Sequence, residues 1–381
     1  MPPKVFLHIG TPKSGTTYLQ SRFVRNAERA AARGLLWPGP DWGAHVAAAR
    51  DLKSLAPHRS LKPRGPWSEI ARQAKAWQGG SVLISMEWLI DAQPHQISAA
   101  LESLQPCKVE VIVTARDLLR TFVAQYQEMT KNERPWTWSQ FVDEMQSESD
   151  GPASTTFWRQ QDLPEILSRW SGQVGGENTH LVTLPPAGSE PDLLWDRFTR
   201  LLGIDGSDFA PPQRDNASLG VVSTALMQRL NVAALARDMP LSVYKPLIQN
   251  AVGRQILAQR REQEDALSVS EETDTWLRKR SDAMLTDVRA LDPNVVGSLE
   301  DLVPGRPLQG REPSEVTEAE LLDTAVTALV ALGDTQFREI RRLRDHQRVL
   351  EDRIEGGAHG RGADVLRRAR SRLGRLVRVR R

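Results

Sequence analysis

Four short apolar runs stand out along the chain, at residues 5–9, 81–85, 109–114 and 180–184. Runs of this length, apolar without strict alternation, fit strands buried on both faces of a parallel sheet. After each of the first three the pattern turns helical. Behind the first, Leu19, Phe23 and Val24 fall on one helical face. Buried strands alternating with helices predict right-handed βαβ units in a doubly wound α/β layer structure. Residues 38–66, dense in Pro, Gly, Trp and His, read as a long loop or lid. Residues 129–162 read as mixed loop and helix over the carboxyl ends of the strands, where the active sites of such sheets lie.

From about residue 222 the pattern is mostly helical, with Leu226, Leu230, Ala233 and Ala234 on one face. Prolines near 293 and between 304 and 313 separate the later helices. Residues 317–355 predict one long helix with Leu322, Ala325, Leu329, Leu332, Gln336, Leu343, Gln347, Leu350 and Ile354 near heptad spacing. Its two glutamines weaken the seam, which suits either a second subunit, as a homodimer, or the body of the same chain. The domain boundary is expected near 305/306, an α/β domain over 1–305 preceding a helical extension over 306–381. Residues 356–362 form a Gly-rich break. Beyond it Leu366, Ala369, Leu373 and Leu376 recur at helical spacing with Arg on the other faces. Such a basic segment fits peripheral contact with an anionic membrane, an acidic partner, or an unstructured tail.

Composition changes this picture little. The chain has 381 residues, 40% hydrophobic and 26% charged, and a net charge of +2, so its overall charge gives no argument for nucleic acid. That balance hides nine Arg against the single acid Asp364 in residues 361–381. A lone cysteine, Cys107, excludes an internal disulfide and a Cys-based metal cage, and fits a reducing compartment. The first strand begins almost at the N-terminus, leaving no room for a signal peptide, and no stretch approaches the about 20 apolar residues that span a bilayer. A cytoplasmic location is expected, at most peripheral at the inner membrane face. Eleven Trp against three Tyr is unusual; most are expected in the core, with those at 37–42 and 136–138 suited to a sugar or aromatic ring.

The chemistry is concentrated in Gly10-Thr11-Pro12-Lys13-Ser14-Gly15-Thr16-Thr17, directly after the first strand. Small residues there let a backbone wrap an anion, and amides at a helix start carry partial positive charge and lack intrahelical partners. The nucleotide triphosphatase loop, G-x-x-x-x-G-K-[ST], shares the glycine spacing. Here, however, Thr16 occupies the lysine position and the lysine lies inside the loop, at Lys13.

The segment Thr11–Thr17 resembles the 5′-phosphosulfate loop of sulfotransferases that use 3′-phosphoadenosine 5′-phosphosulfate (PAPS). Residues up to about 305 are similar to the actinobacterial-type members of that family. The resemblance is carried by this loop, Ala115-Arg116-Asp117-Leu118, Asp192-Leu193-Leu194-Trp195, Asn216-Ala217-Ser218-Leu219-Gly220 and Val295-Val296-Gly297-Ser298-Leu299. It implies a P-loop-like parallel sheet flanked by helices and a cofactor held by Pro12, Lys13, Ser14, Gly15, Thr16 and Thr17. It further implies that Arg116, ending a central strand, grips the 3′-phosphate, an anion that a guanidinium can meet with two parallel hydrogen bonds. The hydroxyl expected eight residues later is missing: the position is Ala124, leaving Thr121, Gln125 or Gln127 to supply it. Arg214, Asn216 and Ser218 resemble a late loop that closes over the 3′ side.

The reaction so implied is attack of an acceptor hydroxyl or amine on the sulfur of PAPS, with Lys13 stabilising the leaving oxygen and no metal required. The acceptor is a small molecule, a sugar or a glycolipid. Two bases are candidates. Glu87 follows the 81–85 strand, where other members carry a catalytic His or Glu; His45 titrates near neutrality without tuning. Glu87 is preferred. His8, inside a buried strand, reads as structural. Two other classes remain open at this point: a magnesium-dependent P-loop kinase or triphosphatase, and a non-catalytic scaffold of the same fold.

Overall fold

The computed structural model describes residues 2–147, 150–212 and 218–356, with residues 352–356 described by backbone alone. Two units divide the chain, Met1–Leu321 and Leu322–Arg381.

The first unit is α/β, built on six parallel strands: β1 (Lys4–His8), β2 (Leu35–Leu36), β3 (Ser81–Ser85), β4 (Lys108–Ala115), β5 (Thr179–Thr183) and β6 (Asn294–Val296). Their spatial order is β2-β3-β1-β4-β5-β6. β1 therefore pairs with β3 on one side and β4 on the other, with His8 opposite Ser85 and Ile112. The chain leaves β1 toward one edge and returns across it to build the other. Ligands of open α/β sheets bind at such a switch point.

The strand pleat sorts the apolar residues onto two faces. Val5, Leu7, Val82, Ile84, Val111 and Val113 belong to one core cluster. Phe6, Leu83, Ile112 and Val182 belong to the opposite one. Each such side chain fully removed from water contributes about 1.5–3 kcal/mol.

The helices of this unit follow in chain order. α1 (Thr16–Arg25) and α2 (Ala27–Ala32) come after β1; α3 (Trp42–Lys53) and α4 (Pro66–Ala76) lie between β2 and β3; α5 (Pro94–Leu104) joins β3 to β4. After β4 come α6 (Leu118–Lys131), α7 (Trp138–Gln146), α8 (Pro152–Gln161) and α9 (Leu163–Val174); α10 (Leu193–Leu202) follows β5. Later are α11 (Val221–Leu235), the short α12 (Leu241–Tyr244) with a wider-wound continuation over Lys245–Ile256, and α13 (Glu271–Leu291). Residues of α3, α4, α5 and α9 cover the first face, and those of α1 and α10 the second. A third cluster joins α6, α7 and α8 around Phe122, Trp138, Phe141 and Phe157.

Expectation and structure differ in places. The edge strands β2 and β6 are too short to leave an apolar run. The segment 38–66 contains α3, because its Pro and Gly lie at the ends while Ala47, Ala48, Ala49 and Leu52 fill the middle. Asp41 caps this helix by accepting from the Ala44 amide at 3.1 Å. α14 (Glu318–Gly356) begins in the first unit and supplies the described part of the second, matching the long helix expected there. No described helix is long and apolar enough to cross a membrane.

Candidate functional site

The loop after β1 is shaped by positive backbone angles. Gly10 (φ +27°) and Gly15 (φ +85°) flank it, and Lys13 itself stands at φ 70°. A Cβ at Gly10 would lie 2.4 Å from Thr16 Cγ2 and 2.5 Å from Thr114 Oγ1; one at Gly15 would lie 2.5 Å from Leu194 Cδ2. Both positions thus demand glycine for space as well as for conformation. Gly15 is the N-cap of α1 and offers no capping side chain. The first-turn amides of α1 therefore lack the side-chain acceptor that most helices provide.

The Ser14 hydroxyl points inward, donating to the Thr11 carbonyl at 2.6 Å and meeting Thr114 Oγ1 at 2.7 Å. Ser14 is thus a strut for the loop. Thr16 is buried and Thr17 exposed. The Thr11 amide donates to the Thr114 carbonyl at 2.8 Å, fastening the loop to the end of β4. Gln161, at the end of α8, donates to the Pro12 carbonyl at 3.0 Å.

Lys13 Nζ meets Glu128 Oε2 at 2.5 Å, and Lys131 Nζ meets the same oxygen at 3.1 Å. Burial by itself would raise the Glu128 carboxyl, but these two ammonium groups overcome it and hold the acid well below the usual carboxylate range. Lys131 is lowered by its own burial, against the pull of Glu128. The sequence reading missed this triad. Its signal was present: Thr121, Ala124, Gln125 and Glu128 share one face of α6 at helical spacing.

Arg116 stands just past the end of β4. Its Nε is buried and meets no acceptor among the described residues. Burial, with the neighbouring Arg120 adding to it, lowers its pKa to about 10, so it stays charged at neutral pH. Arg120, by contrast, is bound by Asp117 and by the Pro185 carbonyl. On the first turns of α6, Thr121 Oγ1 and Gln125 Oε1 are also buried without partners among the described residues. The Gln125 amide nitrogen is held by Gln160 at 3.0 Å. Gln127 donates to the Leu219 carbonyl at 2.7 Å, bracing the chain after residue 218. Ser218 accepts from Arg261 Nε at 3.1 Å. Arg214 and Asn216 lie outside the described residues.

On the other side of the loop, Glu87 accepts from Gln20 Nε2 at 3.0 Å. Gln20, buried on α1, also reaches Ser85 Oγ at 3.2 Å and accepts from the Trp42 indole at 3.1 Å. Trp42 is 43% exposed, leaving an aromatic face to solvent beside this pair. Ser85 Oγ contacts His8 Nδ1 at 2.8 Å, and His8 Nε2 contacts Thr114 Oγ1 at 3.2 Å. A continuous hydrogen-bonded chain thus runs from Glu87 through Gln20, Ser85, His8 and Thr114 to Ser14 in the loop. Burial lowers the His8 pKa to about 3, so the ring is neutral and fits the structural role expected of it.

His45 is 1% exposed. Its Nε2 donates to the Pro38 carbonyl at 2.7 Å, and its Nδ1 accepts from the Ser85 amide at 3.1 Å. The ring stacks on Trp37 with centroids 4.2 Å apart. Burial lowers its pKa despite these bonds.

The remaining segments that carried the family resemblance serve as supports. Asp192 pairs with Arg22 at 2.7 Å and accepts from the Tyr18 hydroxyl at 2.8 Å. Gly297, at φ +114°, approaches Thr183, where an added Cβ would lie 2.1 Å from its hydroxyl. Among the described residues no three His, Cys, Asp or Glu converge where they could hold a metal ion.

Among solved structures, the chain is similar to sulfotransferases. The crystal structure of the sulfotransferase from Alicyclobacillus acidocaldarius aligns with a TM-score of 0.38 at 15% identity, covering 64% of this chain and 99% of that one. The sulfotransferase domain from the curacin biosynthetic pathway aligns with a TM-score of 0.34 at 12% identity, covering 69% and 97%. No family model and no curated protein sequence matches the chain.

Proposed function

We propose that this protein is a PAPS-dependent sulfotransferase acting on a hydroxyl or amine of a small-molecule, sugar or glycolipid acceptor. The observation that carries the reading is Arg116. A cation left buried with an unpaired donor is costly. Arg116 is half-buried, with its Nε fully buried and unpaired among the described residues, and it follows the strand end to which the loop is fastened; a phosphate entering there relieves the cost. The neighbouring Thr121 hydroxyl can donate to the same phosphate, taking the part expected of the hydroxyl absent at Ala124. Gln125 Oε1 is an acceptor and suits an amino group or a water instead.

PAPS supplies an already activated sulfuryl group. Its 5′ end would be held by the backbone from Pro12 to Thr17, with the Thr16 and Thr17 hydroxyls. Its 3′-phosphate would be held by Arg116, with Arg214, Asn216 and Ser218 as further ligands. Gln127 braces the chain after Ser218 through the Leu219 carbonyl.

Glu87 is the base. It takes the acceptor's proton as the acceptor oxygen or nitrogen bonds to sulfur and the bond from sulfur to the 5′-phosphate oxygen breaks. Gln20 fixes the carboxylate, and exposed Trp42 offers a stacking face for the acceptor. His45 supports the same strand end through its bonds to Ser85 and has no ring nitrogen left for proton transfer. Lys13 and the loop amides stabilise the charge gathering on the departing oxygen, so catalysis is mainly positioning and electrostatics. To do this, Lys13 must exchange its contact with Glu128 for one with the ligand.

The test is sulfuryl transfer with a panel of acceptors. Lys13→Ala should lower kcat by about 10²–10³-fold or more while leaving the circular dichroism spectrum unchanged. Full turnover in a folded Lys13→Ala protein would overturn the mechanism.

A further inference from the structure

A single helix cannot bury a stripe of its own. From Leu322 onward, α14 carries Leu322, Val326, Leu329, Val330, Phe337, Ile340, Leu343 and Leu350 with side chains 44–70% exposed. Their order is not random. Positions 322, 326, 329, 333, 336, 340, 343, 347 and 350 alternate steps of four and three, which is the seam of a left-handed coiled coil. Assigning Leu322 to position d puts Leu329, Leu343 and Leu350 at d as well, with the β-branched Val326 and Ile340 at a. Leucine at d with β-branched residues at a is the combination that favours two parallel strands.

We infer that residues 322–350 of α14 pair with the same segment of a second copy of this chain as a parallel, in-register two-stranded coiled coil. The flanking positions identify the occupant. In a parallel pair each g residue faces the e residue five positions later on the partner helix. Those pairs are Ala325 with Val330, Leu332 with Phe337, Glu339 with Arg344, and His346 with Glu351. Two are apolar and two join groups of complementary charge or hydrogen-bonding capacity. None sets like charges together.

The weak stretch of the seam, Gly333 and Gln336, is the one flanked by Leu332 and Phe337, so the apolar flank covers what the seam loses. Gln347, at the last a position, meets its own copy across the two-fold axis, where paired amides can satisfy each other. A single polar a residue of this kind fixes register at some cost in stability. An antiparallel pair centred on the same segment would set Asp323 against Glu351 and Val330 against Arg344. The heptad assignment therefore specifies orientation as well as partner.

The test is the mass of the full chain in solution, by sedimentation equilibrium at micromolar concentration. The expected result is twice the chain mass, falling to one chain mass in the double variant Leu329→Glu, Leu343→Glu, with the unfolding transition of the α/β unit retained. Orientation is read separately with Ile340→Cys in a Cys107→Ser background. In a parallel in-register pair the two thiols come close enough to oxidise to an interchain disulfide. A monomeric wild-type chain, a dimer that survives the double variant, or absence of the cross-link would each overturn the inference. These readouts use no nucleotide, so they stand or fall independently of the sulfotransferase reading.

Discussion

Arg116 and His8 show how burial sets the state of a side chain, in opposite ways. Arg116 keeps its charge because guanidinium pKa values start so high that burial lowers it only to about 10. It therefore remains a cation at any physiological pH. His8 starts near 6.5, and burial lowers it to about 3. Its folded-state pKa lies below its unfolded one, so the stability it contributes is complete above pH 6.5 and is lost as the pH falls toward 3. For His8 alone the loss between pH 7 and pH 5 is roughly 2 kcal/mol. His45 is lowered by burial too and works in the same direction. Urea unfolding at the two pH values should reveal this loss, and His8→Gln should remove a large share of it. An equal pH dependence in the variant would mean that His8 is not the group responsible. At this scale the sequence was only partly legible. Lys13, Arg116 and Glu87 could be read because each ends or follows an apolar run. Glu128, Gln20 and Lys131 could not, because their roles depend on which helix face the fold turns toward the loop.

Five elements converge at the carboxyl ends of the strands. β1 carries the loop, β3 carries Glu87, β4 carries Arg116, α1 carries Gln20, and α6 carries Thr121 and Glu128. The strand order makes this convergence unavoidable, since β1 lies between β3 and β4. The strand, loop and helix at residues 4–25 were legible because a loop rich in glycine and hydroxyl residues separates a short apolar run from a segment with apolar residues at helical spacing. The pairing order was not, because parallel strands with long crossovers leave no local trace of which neighbour each will choose.

One consequence belongs to these elements jointly. Gln20 ties α1 to both Glu87 and Ser85, so it would position Glu87 if Glu87 is the base proposed above. Gln20→Met keeps the volume and removes the amide. It should lower kcat by about tenfold or more, the order expected for loss of one or two well-placed hydrogen bonds, and alter the acid limb of the pH–rate profile. Affinity for 3′,5′-bisphosphoadenosine should stay the same, because Gln20 lies on the Glu87 side of the loop. A variant with normal kcat and an unchanged pH profile would assign Gln20 to packing alone.

At the scale of the chain, an α/β unit that holds the candidate site is followed by a helix with an exposed apolar seam. The long helix over 317–355 was legible from its heptad spacing, whereas Arg214, Asn216 and the basic tail over 357–381 lie outside the described residues. If the proposed function is right, the α/β unit holds a 3′-phosphorylated adenosine nucleotide through the loop after β1 and through Arg116. The most direct measurement is calorimetric titration of the full chain with 3′,5′-bisphosphoadenosine, repeated with Arg116→Ala and with ATP plus magnesium. The bisphosphate should bind saturably at one site, about 30–100-fold more weakly in Arg116→Ala through loss of charge-assisted hydrogen bonds, and ATP with magnesium should show no comparable binding. Failure of the wild-type chain to bind the bisphosphate, or equal affinity in Arg116→Ala, would contradict it.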